Sequence, residues 1–169
     1  TDPAFSGFPR KPERLATVQQ ETAMKRHANV VWKGSLTQGT GTLNSQSSAL
    51  KEMPLTFKAR FEDESGRAGT NPEELIAAAH AGCFSMQLAH MLAENGTPAE
   101  FLNTTAEVEF ARAGGGFEIS GSALKLNARV PGLDEARFRE IAESAKANCP
   151  VSKALRAIDI TLDISFSQG

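Results

Sequence analysis

Read as a pattern of apolar and polar positions, the chain is a series of short alternating runs interrupted by one long uncharged block. Alternation at Asn29–Lys33, in the run Gly39-Thr40-Gly41-Thr42-Leu43 and over Leu55–Phe61 predicts an N-terminal antiparallel meander. In the last of these, Leu55, Phe57 and Ala59 alternate with Thr56, Lys58 and Arg60. Arg60 is thus expected on the polar face of a strand. The block Leu75–Ala93 then runs without a formal charge. Its start carries helix signals: Asn71 suits the N-cap, Pro72 the first helical position, and Glu74 can close a capping box back to Asn71. Asn95-Gly96 supplies the stop.

A helix apolar on most sides belongs in a core or a subunit interface. Its length also invites a membrane-spanning reading. His80, Ser85, Gln87 and His90, the Ala and Gly content and the lack of a basic flank weigh against that. Beyond it, Thr104–Arg112, the Gly114-Gly115-Gly116 turn and Phe117–Val130 read as a hairpin. Phe138, Ile141, Ala142 and Ala145 recur at helical spacing. Cys149-Pro150 breaks that helix and starts a short one through Leu155, and Ile158–Phe166 alternates as a last strand. The expected class is α+β: a meander, a buried helix, a hairpin, a helix and a strand. Residues 1–23, with Pro3, Pro9 and Pro12, read as an N-terminal extension to a single domain over 24–169.

Composition narrows the function classes. With 40% apolar and 22% charged residues and a net charge of −2, the 169-residue chain has a globular balance with no basic footprint for nucleic acid or an anionic membrane surface. Two cysteines are too few for a secreted disulfide framework. The first residues show no apolar signal-peptide core, so a cytoplasmic location is expected. In that compartment a cysteine pair is more often catalytic, redox-sensing or metal-binding than structural. Two unrelated buried thiols are the plain alternative.

Cys83 lies inside the uncharged helix, where a thiol is ordinarily inert. As a nucleophile it needs a cation from elsewhere in the fold, with Arg60 and Arg67 the nearest in sequence. Cys149 precedes a proline that can open a helix, so the positive helix end can lower its pKa. His80 stands three residues before Cys83 and, with Cys149, could make three ligands. Metal sites usually cluster more tightly and add a fourth ligand, so no metal and no cofactor are expected. His27 and His90 have no partner pattern. Glu73 and Glu74 both complement the helix dipole. Glu74 is accounted for by capping and Glu73 is not, which makes Glu73 the functional candidate.

Together, Thr70-Asn71-Pro72-Glu73-Glu74-Leu75, Ala77-Ala78-Ala79-His80-Ala81-Gly82-Cys83-Phe84-Ser85-Met86 and Ala147-Asn148-Cys149-Pro150-Val151-Ser152 resemble the OsmC/Ohr family of thiol-dependent hydroperoxide reductases, the OsmC branch in particular. The likeness runs from about Met24 to Phe166 and includes Arg60-Phe61-Glu62. It implies an OsmC-like fold and an intertwined homodimer with active sites at the subunit interface. It also implies a peroxidase acting on organic hydroperoxides, in preference to or alongside hydrogen peroxide. Cys83 would attack the O–O bond and become a sulfenic acid, and Cys149 would close a disulfide that an external dithiol reduces. Arg60 would stabilise the Cys83 thiolate and Glu73 would hold Arg60. The segment Asp63–Gly69 is longer than the family pattern and brings in Arg67. A strand holds a guanidinium more rigidly than such a loop, which favours Arg60. Glu73 and Cys83, ten residues apart, are separated by roughly 15 Å of straight helix. The acid cannot touch its own chain's thiol unless the helix breaks, and a second copy packed against this helix could bring them together. Two rival functions fit the same residues: a redox sensor, and a small-ligand binding module with incidental cysteines.

Overall fold

The computed structural model describes residues 23–168. Apart from Ala23, the expected extension over residues 1–23 lies outside the described residues. Strands β1 (Ala28–Lys33), β2 (Thr40–Ser45) and β3 (Met53–Thr56) form an antiparallel sheet in that order. Trp32 pairs with Gly41, which in turn faces Leu55. A Cβ on Gly41 would stand 2.8 Å from the Trp32 ring, so the indole lies on bare backbone there.

The expected strand over Leu55–Phe61 is a correction. β3 ends at Thr56, whose hydroxyl accepts from the Ala59 N–H at 3.1 Å and caps a short helix, α1 (Phe57–Phe61). Phe57 and Phe61 pack one turn apart, their rings tilted to each other with centroids 4.8 Å apart. Arg60 therefore projects from a helix.

α2 (Pro72–Glu94) starts as expected: Asn71 is the N-cap, Pro72 opens the first turn, and the Asn71 side chain accepts from the Glu74 N–H at 2.8 Å. The exposed Glu74 carboxylate makes no return bond among the described residues, so only half of the box forms. Strands β4 (Phe101–Ala113) and β5 (Gly116–Arg129) form a long hairpin. The connection through α3 (Glu135–Asn148) and α4 (Pro150–Ala154) returns β6 (Asp159–Ser167) parallel to β5.

The core lies between this second sheet and the helices. From α2 it takes His80, Phe84, Leu88 and Leu92, a four-residue repeat along one stripe. Leu124, Leu126 and Ala128 of β5 and Phe138, Ile141, Ala142 and Ala145 of α3 meet that stripe. A β-bulge between Glu109 and Phe110 shifts the register, pairing Glu109 with Gly121 but Phe110 with Ile119. Its extra residue changes which side chains of β5 face inward. Phe117 thereby joins Phe110 and Phe61 at centroid distances of 5.0 and 5.2 Å.

Much apolar surface stays uncovered. Met86, on the outer side of α2, is 76% exposed, and every residue of β1 is exposed, Val30, Val31 and Trp32 included. By length and composition α2 could cross a membrane. Here its buried stripe packs on β4, β5, α3 and α4.

Leu88→Ala should cost about 2–5 kcal/mol, because the cavity opens at a fully buried position; urea midpoints will show it. Acid sensitivity is the second expectation. Burial holds the pKa of His80 below its ordinary value. The unfolded chain therefore takes up a proton as pH falls through about 6.5 while the folded chain does not, and stability is lost as pH drops below that value. Between about pH 7.5 and about pH 5.5 the parent should lose more stability than His80→Gln. Equal losses would exclude His80 as the source.

Candidate active site

The candidate site comprises two thiols and one ion pair, the ion pair at the start of α2 and the thiols against its middle. Cys83 lies in the middle of the helix and is half-buried, whereas Cys149 is 0% exposed. Pro150 cannot continue α3, so Cys149 ends that helix, its N–H donating to the Ala145 carbonyl at 2.8 Å. It is also the N-cap of α4. This junction seats the Cys149 sulfur beside that of Cys83, close enough that each thiol acts on the other's ionisation.

The two thiols are pushed in opposite directions. Burial raises the pKa of Cys83; the Val151 N–H offsets this in part, and the neighbouring Cys149 thiol adds to it. Burial alone would raise Cys149 as well. The Ser152 N–H, the Cys83 thiol, the Ser152 hydroxyl and the Val151 N–H outweigh it and pull Cys149 down. The expectation of a helix end acting on Cys149 thus has a concrete source in the α4 N–H groups. No cation contributes to either thiol among the described residues.

The cation is elsewhere. Arg60 grips Glu73 in a two-point ion pair: Nη2 donates to Oε1 at 2.8 Å and Nε to Oε2 at 3.3 Å. The guanidinium also lies over the rings of Phe61 and Phe110, 5.1 and 4.9 Å from their centroids. Glu73 is buried; Glu74, its neighbour, is exposed. Arg67 plays no comparable part. Its backbone N–H donates to Asp63 at 2.7 Å, and its exposed side chain makes no ion pair among the described residues. The Asp63 carboxyl is held below its ordinary pKa by the Ser65 hydroxyl and by the Ala68, Arg67 and Ser65 N–H groups.

The structure thus brings Arg60 to Glu73 and Cys83 to Cys149, but it does not bring the two pairs together. α2 is unbroken between Glu73 and Cys83, which sets them on the order of 15 Å apart along the axis. Beside Arg60 a cavity of about 410 Å³ opens, with Trp32, Leu36, Leu55, Phe57 and Phe61 in its wall.

Three side chains take a part here that the sequence alone does not assign them. His80 is fully buried; its Nδ1 pairs with Ser122 Oγ at 2.8 Å and its Nε2 with Ser152 Oγ at 2.9 Å. With both nitrogens engaged, His80 is not arranged as a metal ligand, and no three His, Cys, Asp or Glu side chains among the described residues form a metal-holding group. Ser152 stands in the Cys-Pro-Val-Ser segment, where its spacing from Cys149 was a usable signal. Nothing local marks Ser122, and of the two phenyl rings under Arg60, Phe61 is its chain neighbour whereas Phe110 comes from the distant strand β4.

Comparison with known proteins agrees with this geometry. The family model described as OsmC-like protein matches residues 62–163. Peroxiredoxin OsmC of Escherichia coli is 48% identical over 132 residues, which is 78% of this chain and 90% of the relative. An organic hydroperoxide resistance protein of Xanthomonas axonopodis is 35% identical over 103 residues, 59% of this chain and 70% of that one. The crystal structure of the organic hydroperoxide resistance protein OhrB of Bacillus subtilis superposes with a TM-score of 0.61 at 27% identity, covering 82% of this chain and 98% of that one. Fold, paired thiols and sequence agree: the chain belongs to the OsmC-like protein family.

Proposed function

We propose that this chain is a cysteine-based peroxidase that reduces organic hydroperoxides, with Cys83 as the attacking thiol, Cys149 as its disulfide partner, and an intertwined homodimer as the working form. The observation that carries the reading is the unequal exposure of two neighbouring thiols. Cys83 alone is open to an incoming peroxide, and Cys149, with no exposure, can reach only Cys83. The relatives' names, peroxiredoxin and organic hydroperoxide resistance protein, support the same chemistry.

The Cys83 thiolate attacks the terminal oxygen of the hydroperoxide; the O–O bond breaks, the alcohol leaves, and Cys83 becomes a sulfenic acid. Cys149 then displaces water and forms the disulfide, which an external dithiol reduces through exchange. That supply of dithiol fits a reducing compartment such as the cytoplasm. Cys83 starts with a raised pKa and no cation beside it, so it needs an imported guanidinium. The Arg60–Glu73 pair is built for that task but stands roughly 15 Å away along the helix within one chain. Arg60 of the partner subunit supplies it once two α2 helices pack through their uncovered faces. The apolar cavity next to Arg60 then receives the organic part of the substrate.

Cys83→Ser should abolish turnover. Cys149→Ser should allow one oxidation and then stall at sulfenic acid or over-oxidise. Single-turnover peroxide consumption separates them, and a fully active Cys83→Ser protein would end the reading. Arg60→Ala should raise the Cys83 pKa and slow peroxide reduction strongly, whereas Arg67→Ala should do little; thiolate absorbance against pH compares them. Subunit sharing has its own test: two inactive proteins, Cys83→Ser and Arg60→Ala, are mixed after dissociation. A shared site restores roughly a quarter of parent activity, because random pairing makes about half the dimers mixed and each carries one intact site. No recovery would place Arg60 and Cys83 of one chain in the same site.

A further inference from the structure

The peroxidase reading leaves one buried titratable group without a task. His80 occupies a place in the α2 stripe that Phe84, Leu88 and Leu92 otherwise fill with hydrocarbon. It is fully buried, and its two partners, Ser122 of β5 and Ser152 of α4, are 2% and 7% exposed. A core position needs no imidazole for packing, and burying one requires both nitrogens to be satisfied. The second serine is the informative one. Ser152 is the third residue of the helix whose N-cap is Cys149, and its hydroxyl and N–H both act on the Cys149 sulfur. Ser122, His80 and Ser152 are therefore joined in one buried hydrogen-bonded chain that ends in the first turn of the helix Cys149 caps.

A neutral imidazole between two hydroxyls has two arrangements. With its proton on Nε2 it donates to Ser152, whose O–H is free to donate onward to a Cys149 thiolate. With its proton on Nδ1 it donates to Ser122; Nε2 accepts the Ser152 O–H, and the Ser152 oxygen can accept from a Cys149 S–H. The groups acting on Cys149 are Cys83 from α2 and the Val151 and Ser152 groups from α4, with no charged side chain among the described residues. We infer that His80 is a positioning residue for Cys149, exchanging its tautomer through Ser152 as Cys149 passes from thiol to thiolate.

The inference rests on the peroxidase reading for the step it serves. Cys83–SOH and Cys149–SH give the Cys83–Cys149 disulfide and water. A sulfur electron pair of Cys149 forms the S–S bond, and the S–O bond breaks with its pair on oxygen. The thiol proton leaves with that hydroxide as water. The sulfenic sulfur is reduced and the Cys149 sulfur oxidised. Buried as it is, Cys149 has no solvent base at hand; while the bond forms, the serine-imidazole chain shifts its hydrogen bonds from the thiol arrangement to the thiolate one, and the thiol proton ends on the departing oxygen.

The test uses Ser152→Ala, which cuts the chain, and Ser152→Thr, which keeps a hydroxyl. In stopped-flow single turnovers with an alkyl hydroperoxide, the ratio of disulfide formation to Cys83 oxidation should fall about tenfold or more in Ser152→Ala. Dimedone should then trap more Cys83 sulfenic acid, and Ser152→Thr should recover most of the loss. In the Cys83→Ser background, where no peroxide is needed, Ser152→Ala should raise the Cys149 pKa by thiolate absorbance. In that same background the ring 15N signals of His80 should move between tautomers as Cys149 ionises. Unchanged ring signals across that titration, or a Ser152→Ala protein resolving at the parent rate, would overturn the inference. A parent that forms no disulfide would defeat the peroxidase reading instead, and the two peroxide-free measurements would still decide the role of His80.

Discussion

The seating of α2 on the long sheet governs the rest of the molecule. Four side chains at helical spacing, His80, Phe84, Leu88 and Leu92, fix its position and its rotation about its own axis. The three hydrocarbon members contribute about 1.5–3 kcal/mol each through burial. His80 contributes by being satisfied, since either nitrogen left unpaired would cost about 1–3 kcal/mol. With that stripe buried, Cys83 is turned toward the α3–α4 junction and Glu73 toward α1, while Met86 is left facing out. A helix without charges over Leu75–Ala93 has nothing to offer water on those remaining faces.

The electrostatics of the two ends follow from what each one lacks. At the Cys149 end, partial charges suffice: N–H groups at the start of α4 and a serine hydroxyl pull down a thiol that burial alone would raise. At the Arg60 end the charge is whole, and it is confined. A carboxylate holds two of its nitrogens and two phenyl rings flank its plane. A guanidinium held this way has little freedom left to lose when an anion approaches. The cavity beside it has mainly apolar walls, while the guanidinium itself stays partly open to solvent.

The α2 start was legible because Asn71-Pro72 is a local signal with a local cause. The hairpin, α3 and the Cys149-Pro150 break were legible for the same reason. Leu55–Phe61 misled because its pattern serves two structures: Phe57 and Phe61 share a face at strand spacing and also at helical spacing, and five residues are too few to separate the periods. Cys83, Cys149, Arg60 and Glu73 could be named from the chain. The pairing of Arg60 with Glu73 makes sense of their separation from Cys83 only in three dimensions. His80 was visible but read as an unlikely ligand, because its partners are 42 and 72 residues away and one of them is an ordinary strand serine. The bulge that brings Phe117 to Phe61 has no residue that announces it.

The unbroken run of α2 between Glu73 and Cys83 has a consequence for how this chain can change. Adding or removing one residue within that run would rotate everything beyond it by about 100° relative to what precedes it. The thiol would leave the α3–α4 junction, or the acid would leave Arg60. The segment between α1 and α2 carries no such phase, since its turn is organised by the Asp63 carboxylate rather than by a repeat. Length variation among chains of this architecture should therefore accumulate in that loop and be purged from the helix, which keys the thiol and the acid to each other like two teeth on one shaft.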